Sequence, residues 1–214
     1  MSLNDKYFAL EGPEACGKSI QLKLLKERLE SFGHKVLSVR EPGDTPFGEE
    51  IRTIMLRSSG SGFTSLDPET FLFLMNACRV ELIKVVRPWL ETGAVVLSDR
   101  SYFSTIIYQS YGQGLDREIV NRVCRIATKD VVPSKIFVLD IPVEDTIERL
   151  AKDKTKKQNV FDLEKREFHS RIREGYLQES GKSPEWIEVV DATKSVEEIS
   201  GILFTKVISC LENK

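Results

Sequence analysis

Tyr7-Phe8-Ala9-Leu10-Glu11-Gly12-Pro13-Glu14-Ala15-Cys16-Gly17-Lys18-Ser19 is an apolar run of strand length followed by a loop that ends on lysine and serine. Gly12, Pro13, Glu14, Ala15, Cys16, Gly17, Lys18 and Ser19 match the pattern G-x-x-x-x-G-K-[ST]. Ile20, Leu22, Leu24, Leu25 and Leu29 then supply an apolar helical face from about Lys18 to Phe32, closed by Gly33. In a strand–loop–helix setting the glycines let backbone amides turn inward around phosphates, and the helix adds its positive end. Lys18 is placed to reach the β- and γ-phosphates of a bound ATP, and the Ser19 hydroxyl to ligate Mg²⁺. The plainer alternative, a glycine-rich turn with no ligand, is disfavoured by that setting.

Outward from this segment, Lys35–Arg40, Ala94–Ser98, Lys135–Asp140 and Trp186–Val190 join Tyr7–Glu11 as short, mainly apolar candidate strands. Such runs suit strands buried on both faces of a parallel sheet. Between them lie helical patterns at Pro46–Leu56, Ser104–Tyr111, Arg117–Lys129, Val143–Lys152, Leu163–Ser180 and Val196–Leu211. Asp67-Pro68-Glu69 reads as the capped start of a long helix running to about Glu91, stopped by Gly93. The alternation predicts an α/β fold, a five-stranded parallel sheet flanked by helices, with ligands at the carboxyl ends of the strands. No repeat or linker divides it, so residues 1–214 read as one domain.

Asp99-Arg100 follows the strand Ala94–Ser98. A carboxylate there can hold Mg²⁺, directly or through water, and the adjacent guanidinium offers a forked donor to phosphate oxygens. By itself the pair would read as a strand-end ion pair; beside the phosphate loop the functional reading is the stronger.

The bulk numbers set limits. With 31 basic and 33 acidic residues the net charge is −2, so attraction for an anionic ligand must be local and nucleic-acid binding has no broad basic footprint. Cys16, Cys78, Cys124 and Cys210 form no C-x-x-C pair, which argues against zinc or a disulfide framework and for reduced thiols in the cytoplasm. No stretch approaches the ~20 apolar residues that span a bilayer, and the first residues lack the order of a signal peptide. An N-K-x-D guanine-reading segment is absent, which disfavours a GTPase switch.

Several ordered segments together resemble the bacterial thymidylate kinases. They are Phe8–Gly12 with the phosphate loop, Arg40-Glu41-Pro42-Gly43-Asp44-Thr45-Pro46, Gly48-Glu49-Glu50-Ile51-Arg52, and Asp99-Arg100. Ser104-Thr105, Tyr108–Asp116, Glu167-Phe168-His169 and Arg173-Glu174-Gly175-Tyr176-Leu177 complete the order, from Phe8 to about Ala192. The resemblance implies a P-loop nucleoside monophosphate kinase fold and transfer of phosphoryl from ATP to dTMP. It implies that Arg52 and Arg79 lie near the thymidylate phosphate and base, that Gln109 faces the pyrimidine, and that Thr105 lies close by. It further implies that Pro42 shapes the acceptor pocket, that Arg100 grips the acceptor phosphate, and that Glu14 approaches the acceptor sugar and metal region. For Arg52 or Arg79 alone a solvated helix face is an equal alternative. For Gln109 a buried amide capping backbone is the alternative. A homodimer, through long helices such as Pro68–Glu91, is implied only by the resemblance.

The segment from Lys152 to Asn159 holds the place of a short lid, at about 152–161. Ala15 brings no cation to the phosphate loop, so Lys154, Lys156 and Lys157 are its natural suppliers. Four features depart from the family pattern: Met75 where a phenylalanine stacks on thymine, Ser101 after Asp99-Arg100, Phe103, and Asn159-Val160-Phe161 at the end of the lid. Methionine can still lie against an aromatic face through its sulfur. Phe71 and Phe73 do not fill the Met75 position. These departures motivate two competing readings, a same-fold kinase preferring another monophosphate and a nucleotide-binding homologue without turnover.

Overall fold

A computed structural model describes residues 3–56, 66–152, 161–162 and 164–212. Five strands, β1 (Tyr7–Glu11), β2 (Val36–Arg40), β3 (Val95–Asp99), β4 (Lys135–Asp140) and β5 (Ile187–Asp191), form a sheet in the order β2-β3-β1-β4-β5. Every pairing is parallel. The chain leaves β1 through α1 (Lys18–Ser31), passes β3 to reach β2, and later builds β4 and β5 on the other side of β1. That reversal beside β1 opens a crevice at the carboxyl edge of the sheet, where ligands bind in open α/β sheets.

Side-chain alternation along β1 divides the interior. Phe8 and Leu10 enter one core with Leu25 and Leu29 of α1 and Leu203 and Val207 of α8 (Val196–Glu212). Tyr7 faces the other side, against Leu82 and Val86 of α3 (Pro68–Glu91). Ala9 does likewise, in a cluster with Leu72 of α3 and with Ile172 and Tyr176 of α7 (Arg166–Lys182). Each fully buried aliphatic side chain contributes about 1.5–3 kcal/mol relative to exposure. By the same period of two, Glu11 points with Tyr7 and Ala9 toward α3 and α7.

The predicted elements are present, with differences that have local causes. Burial on both faces holds for β1 and β3 but not for the edge strands, because each has a neighbour on one side only; Val189 of β5 is 42% exposed. Asp67 sits at the start of α3, but its side chain makes no capping hydrogen bond. The helix expected over Ser104–Tyr111 begins earlier, because the Ser101 side chain accepts from Phe103 N and starts α4 (Tyr102–Thr105). A π-helical turn, Ile106–Gly112, follows, and it carries Tyr108 and Gln109. Helix α7 starts at Arg166 and ends at Lys182, not Leu163–Ser180. The remaining helices are α2 (Pro46–Met55), α5 (Arg117–Thr128) and α6 (Val143–Lys152).

Among the described residues no helix is long and apolar enough to cross a membrane. All four cysteines are free thiols, three of them buried.

Candidate active site

The register of the sheet brings the decisive segments together. Leu10 pairs with Asp99 and Asp99 with Arg40, so the loops after β1, β3 and β2 emerge side by side. Between them and α3 lies a cavity of ≈ 530 Å³.

The phosphate loop forms one end. Gly12 has φ +135°, and a Cβ there would stand 2.4 Å from the Leu139 carbonyl oxygen, so only glycine fits. Gly17, at φ +96°, opens α1. Lys18 Nζ donates to the carbonyls of Pro13 (2.7 Å) and Gly12 (3.1 Å), which holds the ammonium inside the loop. Glu14, Ala15, Gly17, Lys18 and Ser19 line the cavity; Gly12 and Pro13 are not among the lining residues, and Cys16 is buried in the core beneath.

Ser19 Oγ donates to Asp99 Oδ2 at 2.7 Å, and both residues face the cavity. A hydroxyl and a carboxylate in contact beside a phosphate loop fit a hard cation such as Mg²⁺, which takes oxygen ligands and leans on substrate phosphates and water. Among the described residues no group of three or more His, Cys, Asp or Glu is placed to hold a metal ion.

Arg100 lines the same cavity. Its Nη2 donates to Glu14 Oε1 (2.9 Å) and Tyr108 Oη (3.1 Å), and its Nη1 to Ser104 Oγ (2.9 Å). Tyr108 Oη in turn donates to Glu14 at 2.6 Å. Burial by itself would raise the Glu14 carboxyl, but Arg100, Lys18 and the Tyr108 hydroxyl outweigh it and hold it below the ordinary glutamate range. Glu14 therefore carries its charge in the cavity.

Pro42, Arg52, Met75 and Gln109 also line the cavity. Arg52 Nη1 donates to the Pro42 carbonyl at 2.8 Å, which ties α2 to the loop after β2. Gln109 is buried; its Nε2 donates to Gln113 Oε1 (3.1 Å), while its Oε1 has no hydrogen-bond partner among the described residues. A buried acceptor without a donor at a cavity wall is an incentive for ligand binding.

Arg79 and Thr105 are not among the lining residues. Arg79 is neither solvated nor exposed: its Nε donates to Glu41 Oε2 (2.7 Å), Nη1 to Asn76 Oδ1 (2.6 Å) and Nη2 to Thr105 Oγ1 (2.9 Å). Breaking a buried pair of this kind costs about 3–5 kcal/mol. Glu41 does line the cavity, so Arg79 and Thr105 stand behind it as supports. Burial pushes the Glu41 carboxyl up against the pull of Arg79. Lys154, Lys156 and Lys157 lie outside the described residues.

Sequence reading missed four contributors. Phe71 lies one helical turn before Met75, and its ring reaches the same cavity although it does not occupy the same position. Phe161 also lines it, 5.3 Å from both Phe71 and Tyr108 between ring centroids. The i, i+4 spacing of Phe71 and Met75 was the available signal. Glu41 was quoted without a role. Arg149 of α6 donates to the carbonyls of Ala15 (3.3 Å) and Ala192 (3.4 Å), so a cation does reach the phosphate loop from outside the lid.

Comparison with known proteins agrees with this geometry. The family model described as thymidylate kinase matches residues 10–201. A thymidylate kinase of Trichlorobacter lovleyi is 35% identical over 210 residues, covering 96% of this chain and 98% of that protein. One from Kosmotoga olearia is 34% identical over 207 residues, covering 96% and 97%. One from Bacillus licheniformis is 36% identical over 196 residues, covering 91% of each.

Proposed function

The chain belongs to the thymidylate kinase family, and we propose that its ATP-to-dTMP phosphoryl transfer runs through the cavity between the phosphate loop and α3. The products are dTDP and ADP. The observation that carries the site assignment is that Lys18 and Ser19, Arg100, and Arg52, Met75 and Gln109 line one and the same cavity.

Transfer between two polyanions asks for alignment and positive charge at the junction, with little covalent work for the protein. In this reading the loop from Gly12 to Ser19 cradles the donor phosphates, and Lys18 leaves its carbonyl partners for the β- and γ-oxygens. Ser19 and Asp99 would hold Mg²⁺, which would supply charge neutralisation at the donor phosphates. Arg100 grips the acceptor phosphate while Glu14 fixes the direction of its fork. Arg52 adds charge on the acceptor side, anchored to Pro42. Gln109 Oε1 accepts from the pyrimidine N3–H, and Met75 lies against the base beside Phe71. Arg79 and Thr105 act on the acceptor through Glu41. Lys154, Lys156 and Lys157 keep their proposed place over the donor phosphates, on the strength of their position in the chain.

Residues 1–214 form one kinase domain in this reading, with the lid at about 152–161. A homodimer is supported by the family and by Phe73 of α3, which is 62% exposed. The free thiols support a cytoplasmic setting. The balanced charge supports small-molecule partners over nucleic acid.

Calorimetric titration of dTMP, dUMP and dCMP tests the acceptor half. The expected result is tightest binding of dTMP, with Met75→Phe lowering its Kd about two- to tenfold through ring stacking. An unchanged or higher Kd in the variant contradicts the placement of Met75 against the base.

A further inference from the structure

Glu11 is fully buried at the carboxyl end of β1, and no Lys, Arg or His pairs with it directly among the described residues. Its carboxylate is instead surrounded by donors. Oε1 accepts from Ser101 N (2.8 Å), Ser101 Oγ (2.8 Å) and Ser104 N (3.2 Å). Oε2 accepts from Ser104 Oγ (2.5 Å) and Tyr176 Oη (2.9 Å). A buried carboxylate is costly unless such bonds are made, so these hydroxyl protons are committed to it.

That commitment has a direction. Ser104 Oγ and Tyr176 Oη lie 3.0 Å apart and each has one proton; with both donated to Glu11 Oε2, neither is left to donate to the other. Each must then offer a lone pair elsewhere, and Arg100 Nη1 donates to both, at 2.9 Å and 3.2 Å. Arg100 itself has φ +71°, a conformation that a non-glycine residue holds only where its surroundings enforce it. Its amide donates to the Leu10 carbonyl at 2.9 Å, the residue before Glu11. Nη1 also donates to the Gly12 carbonyl at 3.2 Å, so the end of β1 and the two hydroxyls together hold the backbone and one guanidinium nitrogen of Arg100, while Glu14 and Tyr108 hold the other nitrogen.

We propose that Glu11 is a positioning residue for phosphoryl transfer, orienting the Arg100 guanidinium through the hydroxyls of Ser104 and Tyr176. The proposal rests on the placement of Arg100 in the reacting cavity. Glu11 is not among the residues that line the cavity. It sets the polarity of a relay that presents two acceptors to Nη1.

Glu11→Gln keeps the volume but replaces one acceptor oxygen with a donor. If the amide nitrogen faces Ser104 and Tyr176, their hydroxyl protons must turn away from position 11, which disturbs the acceptor geometry they present to Arg100. If it faces the amides of Ser101 and Ser104, donor meets donor. Either way kcat for dTMP phosphorylation falls about ten- to a hundredfold, the loss of a hydrogen bond to a charged group, with KM for ATP unchanged. A double-mutant cycle separates positioning from general support. In an Arg100→Ala background Glu11→Gln should cost less than twofold further in kcat, because the group it acts through is gone. Full additivity of the two losses overturns the proposal, as does an unchanged kcat in Glu11→Gln alone. Tyr176→Phe, which removes only one hydroxyl, provides the same cycle if Glu11→Gln does not fold. An Arg100→Ala variant with undiminished turnover would instead overturn the placement of Arg100, and the two failures are therefore distinguishable.

Discussion

Lys18→Ala is expected to lower dTMP-dependent ADP release by about 10²–10³-fold, the loss that follows removal of one preorganised donor from a charged transition state. The lysine is 7% exposed and its ammonium is held by the Gly12 and Pro13 carbonyls, so it waits inside the loop at little entropic cost. Its charge is needed as negative charge gathers on the transferring phosphoryl oxygens, and alanine leaves nothing in its place. The backbone amides of the loop remain, so ATP still binds. The check is kcat beside an equilibrium measurement of ATP affinity. Loss of turnover with ATP bound within about tenfold of the parent fits a role in the transition state; turnover within threefold of the parent removes Lys18 from the chemistry.

Arg100→Ala is expected to cost a comparable 10²–10³-fold in kcat/KM for dTMP while leaving KM for ATP near its parent value. The asymmetry follows from the proposed roles, in which Arg100 grips the acceptor phosphate whereas the donor phosphates meet Lys18 and the loop. Arg100→Lys should restore little. The guanidinium makes separate contacts through Nη1 and Nη2, to Ser104 and Tyr176 on one side and Glu14 and Tyr108 on the other. An ammonium on a flexible stem cannot match that fork. Full activity in the lysine variant would show that charge alone suffices and that the oriented fork is unnecessary.

The sequence was most informative where function depends on contiguous residues. Gly12 to Ser19 stands on a strand–loop–helix unit, and the backbone reason for its first glycine is visible in the clash a Cβ would make with Leu139. The parallel sheet was legible because its central strands are short and apolar; the incomplete burial of β2 and β5 was not, because edge position is a property of the assembled sheet. Arg79 shows the limit most clearly. As one letter on a helix it reads equally as solvated or functional, and only the arrival of Glu41 and Thr105 makes it a buried pair. Glu11 is a second case. Its partners lie 90 to 165 positions away, so no local pattern distinguishes it from an ordinary strand-end carboxylate. Phe71 was set aside on rotation from Met75, yet a full turn along α3 returns its ring to the same cavity. Arg149 is one letter inside the helical pattern Val143–Lys152, and its approach to Ala15 depends on how α6 packs against the phosphate loop.

The most direct test of the central claim is acceptor-dependent ADP release from ATP·Mg²⁺, measured with dTMP, dUMP, dCMP, dGMP and UMP and with Lys18→Ala as the blank. Selective turnover of dTMP, abolished by chelating the metal, is the predicted result. Preference for another monophosphate would contradict the acceptor assignment, and ATP binding without acceptor-dependent turnover would contradict the account as a whole.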